Sequence, residues 1–217
     1  FTVTDGYSEL TPKAVIVKAT AAQKTYGAAD PTLASSVEGL VEGESETLIV
    51  RTVTRATGEN VGTYAITASG EATQGNYSVT YETADFTITP KAIAVAVSGN
   101  SASVTYDGTD HVVTGFTATT DETLYDVANV ALAEGKLATA TTKNVAKVMM
   151  NLTEASFVNN DNNFTVAFTV TDGYSEVTPK AVVVKAIAAE KTYGETDPTL
   201  ASSVEGLVEG ESESLIV

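Results

Sequence analysis

The residues able to do chemistry are few and scattered. His111 is the single histidine; it stands beside Asp110, no Ser/His/Asp arrangement is recommended by the spacing, and it reads as a turn or surface residue. The chain has no Cys, which removes thiolate metal sites, disulfides and Cys nucleophiles. Hydrolysis by paired carboxyls needs two acids converging on a cleft, whereas the acids here lie in turns or singly along strands. Asp30 and Asp107 are candidate ligands, yet each sits in a turn-forming stretch, Tyr26-Gly27-Ala28-Ala29-Asp30-Pro31 and Tyr106-Asp107-Gly108. There Gly supplies φ > 0 and Asp caps a local turn. Oxygen ligands for calcium are plentiful in Asp107 to Asp110, Asn159 to Asn163 and Glu42 to Glu46, but none follows the EF-hand loop pattern. No catalytic, cofactor-binding or metal residue is therefore assigned, ligand-binding residues are unknown, and calcium is the one cofactor left open. The chain reads as non-enzymatic.

The elements that carry these residues are repeated. Residues 1–50 and 168–217 are the same text except at Leu10/Val177, Ile16/Val183, Thr20/Ile187, Gln23/Glu190, Ala28/Glu195, Ala29/Thr196 and Thr47/Ser214. The offset is constant, so the chain spans one period of a tandem array and the start of the next. Phe1 aligns with Phe168, inside a strand-like run, which predicts a chain that begins within a domain of a longer protein. The net charge of −16 repels phosphate backbones and anionic lipid, so neither nucleic acid nor membrane insertion is expected. The acid is spread over the chain, as on a solvated surface.

Thr-Pro-Lys recurs at Thr11-Pro12-Lys13, Thr89-Pro90-Lys91 and Thr178-Pro179-Lys180. Pro fixes φ and holds the preceding Thr extended, so one strand should end and another begin there with hardly any linker. These joints predict the last strand of a preceding domain over 1–10, one domain over 11–90, a second over 91–177 and the first half of a third over 178–217. Each domain is expected to be all-β, a small sandwich of six or seven strands with an Ig-like flavour, joined end to end. A β-grasp-like variant stays open, because an extra strand fits the plain Ig order poorly.

Asn60-Val61-Gly62-Thr63-Tyr64 has the spacing of a tyrosine corner, which Val148 cannot provide at the matching place in the second domain. The alternating run Phe164 to Thr171, then Asp172-Gly173 and Tyr174 to Thr178, predicts a hairpin on a type I′ turn. Tyr77 to Tyr81, a turn at Glu82 to Asp85 and Phe86 to Ile88 predict another. Leu124, Val127, Ala128 and Ala131 fall at helical spacing, but Gly135 and Thr-rich flanks favour strand.

Tyr26-Gly27, Asp30-Pro31, Gly39-Leu40-Val41-Glu42-Gly43, Gly62-Thr63-Tyr64, Asn76-Tyr77 and Thr87-Ile88-Thr89-Pro90 resemble the MBG domain of YGX type found in bacterial surface adhesins. Residues 91–177, with Thr105-Tyr106-Asp107-Gly108, Leu124-Tyr125, Asn163-Phe164 and Asp172-Gly173-Tyr174, are similar to the YDG-type repeats that accompany it. The resemblance implies an extracellular, non-catalytic module in a stalk or filament, with neighbouring repeats as its partners and any host or matrix glycoprotein bound through other regions. The alternative is direct binding of a host glycan or mucin, for which Tyr7, Tyr125 and Tyr174 are the candidate aromatic platform. Domains of this kind also invite an internal Lys-to-Asn amide bond, with Lys18 and Asn76 as candidates. The patterns Asn76-Tyr77-Ser78, Asn151-Leu152-Thr153 and Asn163-Phe164-Thr165 are taken as chance matches to the glycosylation signal.

Overall fold

A computed structural model describes Phe1 and residues 5–216, apart from the side chain of Leu215. The chain divides into two compact units, residues 1–93 with 161–166, and residues 94–160 with 167–217. Apart from short 3-10 turns, the regular structure of the described residues is all β.

The first unit is built from β1 (Lys13–Ala19), β2 (Ala22–Thr25), β3 (Ser35–Glu38), β4 (Thr52–Arg55), β5 (Gly62–Ser69), β6 (Thr73–Gln74), β7 (Tyr77–Glu82) and β8 (Ala84–Thr89). They form two four-stranded sheets, ordered β3-β1-β7-β6 and β2-β8-β5-β4. The alternation of each strand sets its inward face. In β1, Val15 and Val17 point in while Lys13 and Ala14 are exposed. They pack with Val37, Ile49, Tyr77, Val79 and Ala68. Since Ala68 belongs to β5, the two sheets face each other as a sandwich. Ile66, Phe86 and Ile88 make the adjoining cluster, and burying a ring the size of Phe86 contributes about 1.5–3 kcal/mol.

Each sheet contains one parallel pair, central in the first sheet and at the edge of the second. β1 runs beside β7 from Lys13↔Tyr77 to Lys18↔Glu82, and β2 runs beside β8 from Ala22↔Phe86 to Thr25↔Thr89. Both pairings share one offset, so β1–β2 and β7–β8 are two long bent strands lying side by side across both sheets. The sheets are mixed, unlike the antiparallel sheets of the plain Ig order.

The expected closing hairpins do not form, although their strands appear where the alternation placed them. A single residue, Thr83, separates β7 from β8, and each of those strands pairs in a different sheet. The same step occurs between β17 (Phe164–Thr171) and β18 (Tyr174–Thr178). Asp172 spends its side chain accepting from the backbone N–H groups of Asn151 and Leu152, both at 2.9 Å. Gly173 has no positive φ; it is Gly because the backbone of Gly99 and Asn100 lies against it, and a Cβ there would stand 2.4 Å from the Asn100 carbonyl. A close crossing of two backbones therefore selects the glycine that sequence pattern assigns to a turn.

The rest of the second unit comprises β9 (Lys91–Gly99), β10 (Ser101–Thr105), β11 (His111–Thr114), β12 (Phe116–Thr119), β13 (Val130–Leu132), β14 (Thr139–Thr142), β15 (Ala146–Met149) and β16 (Phe157–Asn159). Its sheets are β12-β9-β17, β10-β18-β15, β11-β14 and β13-β16; β9 starts in the first unit. Here too strands distant in sequence are parallel neighbours, with β10 beside β18 from Ser101↔Tyr174 to Thr105↔Thr178. The stretch with helical spacing resolves into a 3-10 turn, Val127–Asn129, capped by the Asp126 carboxylate, followed by β13. The chain closes on β19 (Val183–Ala186) and β20 (Ser202–Glu205), paired antiparallel. Of residues 1–10, expected to be the last strand of a preceding domain, residues 5–10 hold no strand. Residues 2–4 and 217 of the predicted outer segments lie outside the described residues.

Candidate functional site

The densest charged constellation joins β2, β4 and the loops beside them. Lys24 sits on the inward register of β2, opposite Ile88, and is buried. Its ammonium lies 2.7 Å from Asp30 Oδ1 and also donates to Glu59 Oε2. Arg55, the last residue of β4, grips Asp30 through Nε at 2.6 Å and a terminal nitrogen at 3.1 Å, and also donates to Glu59. Its other terminal nitrogen donates to the carbonyls of Ala56 and Gly58. The guanidinium carbon lies 4.8 Å from the Phe86 ring centre and 5.8 Å from that of Tyr64. A planar fork between a carboxylate and aromatic faces is the geometry Arg supplies and Lys does not.

Two cations and two anions cancel, and each fixes the other's protonation. Arg55, and then Lys24, hold the Asp30 carboxyl down at about 2. Lys24 and Arg55 lower Glu59, while Asp30 and Glu59 raise Lys24. An ammonium held protonated is no nucleophile, and a carboxylate held ionised is no general acid. The constellation ties turn to sheet. Sequence reading placed Asp30 in a turn and missed its partners, because Lys24 and Arg55 carry no local signal. The inward phase of Lys24 in β2 was the available clue.

The remaining candidates are dispersed. Asp107 accepts from Thr109 N–H at 2.9 Å and from its hydroxyl at 2.8 Å, and these bonds with His111 hold its carboxyl at about 2. His111 Nε2 lies 2.9 Å from Asp107 rather than beside Asp110, so both belong to one turn leading into β11. Of the calcium candidates, Glu44 accepts from Tyr77 Oη, Glu46 pairs with Arg51 at 2.9 Å and Asp161 accepts from Asn163 N–H. Asn159 accepts from Tyr125 Oη. Among the described residues no group of three or more His, Cys, Asp or Glu gathers as metal ligands.

The Lys18–Asn76 amide is ruled out by register. Asn76 meets Lys13, whose N–H donates to its carbonyl at 2.8 Å. Lys18 stands five residues further along the same strand, about 16 Å away, and pairs with Glu38 at 2.7 Å. Of the residues proposed as an aromatic platform, Tyr125 is buried, Tyr174 has the Lys147 ammonium 3.5 Å over its ring, and Tyr7 is exposed. The tyrosine corner does form, with Tyr64 Oη donating to the Asn60 carbonyl at 2.8 Å.

The first unit is thus an all-β module of two facing mixed sheets, closed by parallel terminal strands and tied by an ion cluster. Residues 15–87 match the model of the MBG domain (YGX type), so that stretch, β1 to β8, is similar to this family. No curated protein matches the chain. Among the described residues no helix is long and apolar enough to cross a membrane.

Proposed function

We propose that the chain is a non-catalytic spacer segment of a bacterial extracellular adhesin or surface filament, built from modules repeated end to end. The observation that carries this is the near-identical text 167 residues apart, in which the first copy holds about half of the stretch similar to the MBG domain. A unit repeated with so little change serves by being added along a line. The charged groups support the same reading, since the cluster around Arg55 is spent on internal ties. Its partners on this reading are neighbouring repeats, and no cofactor is required; a melting midpoint unchanged by a calcium chelator is the expected result.

A strand of ten to twelve residues at about 3.3 Å each gives nearly 40 Å per module, so one period should add on the order of 70 to 80 Å. Small-angle scattering of chains with one, two and three periods tests this. A maximum dimension that grows by that increment supports a spacer, and a compact particle at three periods sinks it.

A further inference from the structure

The spacer reading leaves open what the modules resist, and on that reading the topology supplies an answer. In the first module the chain enters on β1 and leaves on β8, and the strands carrying entry and exit run parallel and adjacent. Six pairs from Lys13↔Tyr77 to Lys18↔Glu82 continue into four from Ala22↔Phe86 to Thr25↔Thr89. The ladder is closed at both ends, by Lys13 N–H to the Asn76 carbonyl at 2.8 Å and Tyr26 N–H to the Thr89 carbonyl at 2.9 Å. Pulling Lys13 and Thr89 apart slides one strand along the other, so the bonds between them lie across the load and must fail together. Separating the same strands from one end would break them singly.

The second module repeats the device with different residues. Tyr106 N–H donates to the Thr178 carbonyl at 2.9 Å, as Tyr26 does to Thr89. The hydroxyl of Thr178 donates to the Val104 carbonyl at 3.1 Å, as that of Thr89 does to the Lys24 carbonyl at 3.3 Å. The Thr of each of these Thr-Pro-Lys joints is therefore a latch across the terminal strands, placed one residue before the Pro that ends the ladder. We propose that these parallel strand pairs are shear clamps, that Thr89 and Thr178 latch them, and that the modules bear tension applied along the chain.

The chain has no Cys, so paired cysteines can set the pulling direction in single-molecule force spectroscopy of the full chain. Handles at Lys13→Cys and Ala92→Cys load the first module in shear; handles at Lys13→Cys and Asn76→Cys peel β1 from β7. Shear unfolding should need at least about threefold more force than peeling, because about ten pairs share the load rather than one. Thr89→Val should lower the shear force and leave the peeling force unchanged. Urea titration checks that the paired-cysteine variants keep the parent midpoint. If the first pair does not, Thr11→Cys with Ala92→Cys loads the same direction from outside β1. Equal forces in the two directions overturn the clamp while leaving an extended spacer standing. A compact three-period particle would instead overturn the spacer whatever the forces.

Discussion

Residues 13–49 and 180–216 are nearly one text folded twice, and among the described residues only the first copy contains buried ones. Both copies keep the antiparallel pair, with Ile16↔Glu38 to Ala19↔Ser35 reproduced as Val183↔Glu205 to Ala186↔Ser202. Both keep the 3-10 turn capped by Ser45 or Ser212 and the ion pair Lys18–Glu38 or Lys185–Glu205. What differs is everything that needs a distant partner. Val17 is 0% exposed against 54% for Val184, and Tyr26, edge-on to Phe164 at 5.2 Å, becomes the fully exposed Tyr193. β2, whose ladder neighbour is β8, has no counterpart among the described residues. The difference reverses in the segment before: Leu10 is 87% exposed and Val177 2%, since only the later copy lies between β10 and β15. Local sequence thus determines turns and short-range pairs, and the parallel partner determines burial.

The most forceful way to break this comparison is to supply the partner. Appending the text of residues 51–90 after Val217 should convert the second copy into a module like the first. Backbone exchange over residues 181–192 should slow by at least about a hundredfold, as expected when a two-stranded pair joins a cooperative core. Exchange that stays fast would show that the copies differ for some reason other than partners.

Next come paired substitutions at matching places. Ile49 is buried against Val15, Val17 and Tyr77, so Ile49→Ala should cost the first unit about 2–5 kcal/mol in chemical denaturation. Ile216 is exposed, and Ile216→Ala should stay within about 0.5 kcal/mol. Similar losses at both would mean that the second copy is packed in solution.

The same asymmetry explains what could be read from the sequence. Strands were legible wherever alternation was strong, as in Phe164 to Thr171, and so was the tyrosine corner. Pairing was not, because parallel neighbours lie 64 residues apart in the first module and leave no local mark. Asp172-Gly173 carried the signal of a tight turn, yet Gly173 is required by Gly99 and Asn100 beyond the sequence window. Likewise, Asp30 announced its turn but not Arg55, whose fork is set by the register of β4 on β5. Gly173 and its copy Gly6 sharpen the point. Gly173→Ala must displace backbone and should cost about 1–3 kcal/mol, while Gly6 has nothing within 4 Å of where a Cβ would stand, and Gly6→Ala should be neutral in the same titration.

Acid offers the finest comparison, between Asp30 and its copy Asp197. The Asp30 carboxyl is held at about 2 by Arg55 and Lys24, below its ordinary 3.8. A group whose folded pKa is depressed stabilises fully above its unfolded pKa, and that contribution fades as pH falls toward the folded one. The first unit should therefore lose stability between about pH 4 and pH 2, read as faster exchange across residues 84–89. Asp30→Asn should remove part of that slope and lower stability at pH 7, because Arg55 and Lys24 would keep their charges with one partner fewer. Asp197 pairs with Lys191 alone, with both side chains in solvent, and exposed pairs contribute little. Asp197→Asn should leave the stability of residues 181–192 at pH 7 as it was. An equal response to the two substitutions would mean that the Arg55 fork, absent from the second copy, is not what makes Asp30 matter.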